Sequence, residues 1–103
     1  MQRAVLRQAL SDQTADVRYN AAIALARMND REAAGVLREM LDRQRLDRVE
    51  GMRPDQKDEA MLAAISAYST LMKADAAPEL RALSERDPSM RVRAAAKQAL
   101  EAR

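Results

Sequence analysis

Apolar residues recur along this chain with the period of an α-helix and never with the alternation of a strand. Val17, Ala21, Ala24, Leu25 and Met28 fall at i, i+4, i+7, i+8 and i+11, which is one stripe of a helix. Ala33, Val36, Leu37, Met40 and Leu41 make a second stripe, and Met61, Ala64, Ile65, Tyr68 and Met72 a third. Val and Ile are scattered singly, so a strand has nothing to start from. The breaks agree with this reading. Ser11-Asp12, Asn29-Asp30, the run Gly51 to Asp55, Lys73-Ala74-Asp75 and Asp87-Pro88 place capping or helix-ending residues between the periodic segments. Six helices are predicted, near residues 2–10, 14–28, 31–49, 55–73, 76–85 and 89–102. Each has a stripe that needs a neighbour to bury it, so the fold class is all-α.

Composition decides how closely those helices approach. The chain has 103 residues, enough for one domain, and 22 are alanine, so the core is built from thin side chains and near backbones. It has no Cys and no His, which removes thiol nucleophiles, imidazole bases, disulfides and the common zinc ligand sets. Ser11, Ser66, Ser69, Ser84 and Ser89 therefore have no histidine to activate them. The carboxylate pairs Asp55/Asp58 and Asp58/Glu59 sit where a helix macrodipole favours anions in any case. No catalytic residue, cofactor or metal site is expected. No apolar run reaches the roughly 18 residues of a membrane span, and the first residues lack the apolar core of a secretory signal. A soluble, cytoplasmic protein without membrane insertion is expected.

Charge separates the candidate partners. Eighteen cations, mostly arginine, face 16 anions for a net charge of +2, a mixed-sign surface and not a polycation. Nucleic-acid binding needs clustered unpaired cations and, for single strands, stacking aromatics. Here carboxylates interleave throughout, and Phe and Trp are absent. Another protein is the expected partner, and nucleic acid is the disfavoured rival.

Self-comparison changes the fold expectation from a bundle to an array. Asp12, Val17, Arg18, Ala21, Ala24 and Leu25 recur, displaced by 75 residues, as Asp87, Val92, Arg93, Ala96, Ala99 and Leu100. A second string, Val5-Leu6-Arg7-x-x-Leu10, returns as Val36-Leu37-Arg38-x-x-Leu41 and more weakly as Leu80-Arg81-x-Leu83. The strings alternate. Between the strong copies, Ala63-Ala64-Ile65 echoes Ala21-Ala22-Ile23 in a degenerate middle copy, where Glu59-Ala60 replaces the Val-Arg pair.

These residues resemble the HEAT-repeat family, specifically short bacterial HEAT-like repeats of the phycobilisome-lyase type. Asp12 to Leu25 and Asp87 to Leu100 look like the family's first helix, and Val36 to Leu41 and Leu80 to Leu83 like its second. Four units result: a partial repeat 1–11, a repeat 12–54 lengthened by an insertion from Gln44 to Asp55, a degenerate repeat 55–86 and a partial repeat 87–103. The resemblance implies an α-solenoid of antiparallel helix pairs, first helices convex and second helices concave, that binds other macromolecules. The truncated first and last units imply a segment of a larger protein, whose exposed repeat ends offer surfaces for a dimer.

In such repeats the pairs Asp12/Arg18 and Asp87/Arg93 imply a hydrogen-bonded structural ladder linking neighbouring repeats, the Asp capping a helix and the Arg projecting from its first turn; a ligand-binding role for these arginines is the alternative. Arg7, Arg38 and Arg81 hold equivalent places on second helices and are either solvated flanks of the core or a surface for an acidic partner. On the long third segment Arg38, Glu39, Asp42 and Arg45 point away from the core stripe; charges so balanced read as a solvated face, with Asp42 and Arg45 as candidate additions to the partner surface. Tyr19, Ala22, Ile23 and Ala26 form a second apolar stripe behind Val17 and Leu25, to be covered by the insertion, a neighbouring repeat or a partner. A non-enzymatic interaction or scaffolding module is the expected function. The alternatives are a nucleic-acid-binding solenoid and a spacer for a catalytic domain elsewhere in the parent chain.

Overall fold

A computed structural model describes residues 3–102, so Gln2 of the first predicted helix and Arg103 lie outside the described residues. The helices are α1 (Arg3–Ala9), α2 (Ala15–Arg27), α3 (Ala34–Met40), α4 (Arg43–Asp47), α5 (Pro54–Met72), α6 (Ala77–Arg86) and α7 (Met90–Glu101). Short 3-10 turns, Arg31–Ala33 and Lys73–Ala76, lead into α3 and α6. Among the described residues there is no strand.

Local chemistry sets the starts. Pro54 opens α5, where a missing N–H costs nothing, and the Arg53 N–H donates to Gln56 Oε1 at 2.8 Å. Ser89 caps α7 by accepting from the Val92 N–H, and Asp30 caps the turn into α3 by accepting from the Glu32 N–H.

The predicted third segment is corrected: it is not one helix. It ends at Met40, and Asp42, with extended backbone angles (φ −101°, ψ 102°), caps a new helix by accepting from the Gln44 N–H. Leu41 and Leu46 are both buried on either side of the break. The apolar stripe therefore continues through a change of direction that periodicity alone does not register.

The helices form two layers. α2, α5 and α7 touch in sequence along one layer, while α1, α3 and α6 lie on the other and make no extensive contact with one another. The extents of 35 × 33 × 16 Å fit this, since two helix axes about 10 Å apart plus two backbone radii of about 2.3 Å account for the thin dimension. Close contact thus runs along the first-helix row, and the second helices are splayed.

Between the layers lies an alanine-spaced core. Leu25, Leu37, Leu46, Met61, Tyr68, Leu80 and Val92 are its largest fully buried side chains, with Ala22, Ala33, Ala64, Ala76 and Ala96 closing the backbone approaches. Repeat-equivalent positions behave alike where their surroundings repeat, as in Ala33 and Ala76 or Leu37 and Leu80, all fully buried. Where surroundings differ, so does burial. Val92 is fully buried, whereas its copy Val17, expected in the core, is 40% exposed. α7 lies beside α5 in the first-helix row, but among the described residues that row begins at α2. The stripe of α2 expected at its back joins Ala21 and Leu25 in the core: Tyr19, Ala22 and Ala26 are buried, and Ile23 is half-buried.

The inserted segment is anchored and not merely appended. Leu46 of α4 is fully buried and belongs to the common core. Leu46→Ala should lower the unfolding free energy by about 2–5 kcal/mol, measured by urea denaturation. A loss well under 1 kcal/mol would show that α4 is dispensable to the fold.

Candidate functional site

Four aspartates fix the turns that carry the charged residues. In each, a carboxylate oxygen accepts from the backbone N–H two residues on: Asp12 from Thr14 (2.8 Å), Asp30 from Glu32 (3.0 Å), Asp42 from Gln44 (3.1 Å) and Asp87 from Ser89 (3.0 Å). Arg18 Nη1 donates to the carbonyls of Asp12 (3.0 Å) and Gln13 (3.2 Å). Arg93 Nη1 does the same to Asp87 (2.7 Å) and Pro88 (3.1 Å). The two sequence copies thus build the same turn, with the arginine holding the main chain of its own loop and not the aspartate side chain.

Beyond that shared turn the copies diverge. Arg18 also crosses to α3, donating through Nε (3.1 Å) and Nη2 (2.7 Å) to Glu39 Oε1, while Arg45 Nη1 reaches Glu39 Oε2 at 3.2 Å. Glu39, read from the sequence as solvated, is only 16% exposed in its side chain and holds two arginines. That expectation is corrected, because the break after Met40 folds Arg45 back over it.

At the second copy the carboxylate of Asp87, 2% exposed, receives a fork from Arg43: Nε to Oδ1 at 3.0 Å and Nη2 to Oδ2 at 2.8 Å. The same Nη2 donates to Asp58 Oδ1 at 2.9 Å, and Ser89 Oγ donates to Asp58 Oδ2 at 3.0 Å. One guanidinium at the first residue of α4 therefore joins the start of α5 to the start of α7. Sequence reasoning gave Arg43 no role. Its partners lie 15 and 44 residues away, and no local spacing announces them.

A second buried carboxylate, Asp30, is held by Arg7 Nε at 2.9 Å and by Arg3 Nε at 3.3 Å, which tie α1 to the turn into α3. The Arg7 hydrogen bond is the main reason the Asp30 carboxyl titrates below its ordinary range, against an opposing push from burial. Asp58 is lowered in the same way, by Arg43 first, with burial opposing and Ser89 assisting. Asp55, lowered by Arg53, completes the set.

Of the residues proposed from sequence for a partner surface, the structure brings Arg38 and Asp42 to one hollow, between α3–α4 and α6, and leaves Arg7, Arg45 and Arg81 outside it. Arg7 is committed to Asp30, Arg45 to Glu39, and Asp42 caps α4. Arg38 Nη1 lies 3.3 Å from the Tyr68 hydroxyl, and Arg81 is exposed on α6 with no ion-pair partner. Two hollows open nearby. One, about 520 Å³, lies between α3–α4 and α6 and is lined by Arg38, Arg43, Arg86, Glu79 and Leu83 among others; Glu79 Oε1 is buried without a hydrogen-bond partner. The other, about 620 Å³, is walled by the start of α2, the inserted Val49–Met52 and the start of α5. Among the described residues, no group of three or more carboxylates is placed to hold a metal ion, and no helix is long and apolar enough to cross a membrane.

The two-layer array of antiparallel helices with recurrent Asp-to-Arg turns is the repeat architecture that sequence comparison identifies independently. The chain belongs to the HEAT-repeat family: the family described as HEAT repeats matches residues 4–101. That match does not single out the phycobilisome-lyase type. No curated protein and no solved structure matches the chain significantly. HEAT repeats are generally protein-interaction and scaffold modules, and the family is typically non-catalytic.

Arg43→Gln leaves the Asp87 carboxylate buried without its cation and should cost about 3–5 kcal/mol of stability. Arg43→Lys, which cannot form the fork, should recover only part of that loss; a loss below about 1 kcal/mol for the Gln variant in urea unfolding would refute the assignment. A lowered carboxyl stabilises the fold above its unfolded pKa and ceases to do so as pH falls through the native value. With no His or Cys in the sequence, the melting temperature should be nearly level from about pH 5 to 8 and fall steeply below about pH 4. A decline that begins above pH 5 would contradict this.

Proposed function

We propose that this chain is a non-enzymatic protein–protein interaction or scaffolding module, and that its second-helix side receives an acidic segment of the partner. The carrying observation is the state of the cations around the hollow between α3–α4 and α6. Among the described residues, Arg86 at its rim and Arg81 on the same helix have no carboxylate partner, and Arg38 meets only a neutral hydroxyl. These are the arginines whose charge remains available to a ligand, and the orphan acceptor Glu79 Oε1 offers the same ligand a place for a donor group. Arg7, Arg45 and Asp42, read from the sequence as candidate members of the surface, support it indirectly by fixing α1, Glu39 and α4.

Asp12, Arg18, Asp87 and Arg93 serve in this reading as structural elements that fix the turns into α2 and α7. Nucleic acid is the weaker reading. Most described arginines are neutralised by carboxylates, and those without an ion-pair partner among the described residues are dispersed, Arg27 at the end of α2, Arg48 just after α4 and Arg81 and Arg86 on α6, so few counterions would be released on binding.

The double variant Arg81→Glu/Arg86→Glu should retain the wild-type helical circular dichroism and lose the partner captured and reconstituted with the wild-type protein. Undiminished binding would reject this face. Generic duplex DNA should show no binding at about 50 mM salt, and steep salt-dependent binding there would establish the nucleic-acid reading instead.

A further inference from the structure

The larger hollow has a character opposite to the rest of the surface. Its floor is apolar, made by Ile23 of α2, Met40 of α3 and the inserted Val49 and Met52, with Tyr19 at one end. Its rim carries Asp16, Glu50 and Glu59, and no Lys or Arg contributes to the lining, although the chain as a whole has more cations than anions. Among the described residues Asp16 and Glu50 have no ion-pair partner, and Glu59 meets Arg91 through one oxygen in a solvent-exposed contact at 3.0 Å. The volume of about 620 Å³ falls within the roughly 300–1,000 Å³ of ordinary ligand clefts.

The insertion creates this cleft. The wall turns at Gly51, whose φ of +79° only glycine adopts without strain, and this turn sets Val49 and Met52 opposite α2. α2 and α5 touch along the first-helix row as α5 and α7 do, and the inserted turn walls the opening beside their starts. Beyond Tyr19 the cleft continues into a hollow of about 430 Å³, rimmed by Arg48, which has no ion-pair partner among the described residues; Arg18 and Arg45 in the same hollow share the one carboxylate of Glu39. The cleft is therefore anionic at its α5 end and cationic past Tyr19.

We infer that this insertion-walled cleft is a docking site for a basic, amphipathic segment of a partner protein, an aliphatic anchor seated on Ile23, Val49 and Met52 with flanking Lys or Arg against Asp16, Glu50 and Glu59. Charge complementarity selects this occupant: an acidic or uncharged apolar segment would bury the floor but leave the carboxylates without counter-charge. The site lies on the first-helix layer and does not depend on the second-helix surface proposed above.

The test uses a fluorescein-labelled peptide with a Leu-Ala-Ala-Leu centre flanked by arginines, and a control in which every Arg is Glu. Fluorescence anisotropy against the whole chain should give micromolar binding of the basic peptide and none of the acidic one. The exposed double variant Asp16→Lys/Glu50→Lys should weaken binding at least about tenfold with helicity unchanged. In ¹H–¹³C NMR spectra the methyl groups of Ile23, Val49 and Met52 should shift with the basic peptide, a response that loose charge attraction would not produce. No binding, equal binding of the two peptides, or indifference to the double variant would overturn the site. Sedimentation showing a dimer of the free chain that Asp16→Lys/Glu50→Lys dissociates would overturn it in favour of a second copy as occupant.

Discussion

One guanidinium carries more of this fold than any other polar group. Arg43 sits on the short inserted helix, yet its fork closes on the buried Asp87 carboxylate and its remaining hydrogen bond on Asp58. Those two acids belong to successive repeat units, and Ser89 closes the circuit between them. A carboxylate as buried as Asp87 is tolerable only with a partner whose donors match its geometry, and a planar guanidinium does so where an ammonium cannot. The charge pair and the placement of α4 are therefore mutually dependent: the helix delivers the cation, and the cation holds the helix.

Thin side chains explain why such a clamp is needed. With alanines at many of the helix crossings, backbones approach closely along the first-helix row, but each contact buries little apolar area. The second helices, splayed apart, contribute less to one another. Polar ties span those gaps: Arg7 and Arg3 to Asp30 at one end, Arg18 and Arg45 to Glu39 in the middle, Arg43 to Asp58 and Asp87 at the other. The same splay and the same insertion leave open clefts between the helices. In the proposed function, stability and recognition draw on the arginines in complementary ways, since those bound internally cannot serve a ligand and those left over would attract one.

Much of this was legible from local sequence. The Asp-to-Arg spacing of six residues produced the same carbonyl-gripping turn at residues 12–18 and 87–93, because every partner lies within one loop and one helical turn. The helix starts at Pro54 and Ser89 were likewise readable from capping chemistry. What was not legible depends on distant neighbours. Val17 and Val92 occupy the same motif position and differ in burial only because a helix lies beside one of them. The break at Leu41–Asp42 kept Leu41 and Leu46 both apolar and both buried, so the pattern looked unbroken. Arg43, one charged residue in a run of nearly balanced charge, acquired its importance from contacts up to 44 residues away.

Native-state hydrogen exchange tests the central claim most directly. If the Arg43 clamp unites the insertion with the two repeats that follow, amides of α4, the start of α5 and the start of α7 open with one common free energy, and Arg43→Gln lowers protection in all three together. Exchange in α4 that is fast and independent in the wild type, with α7 equally protected in both proteins, would contradict the account.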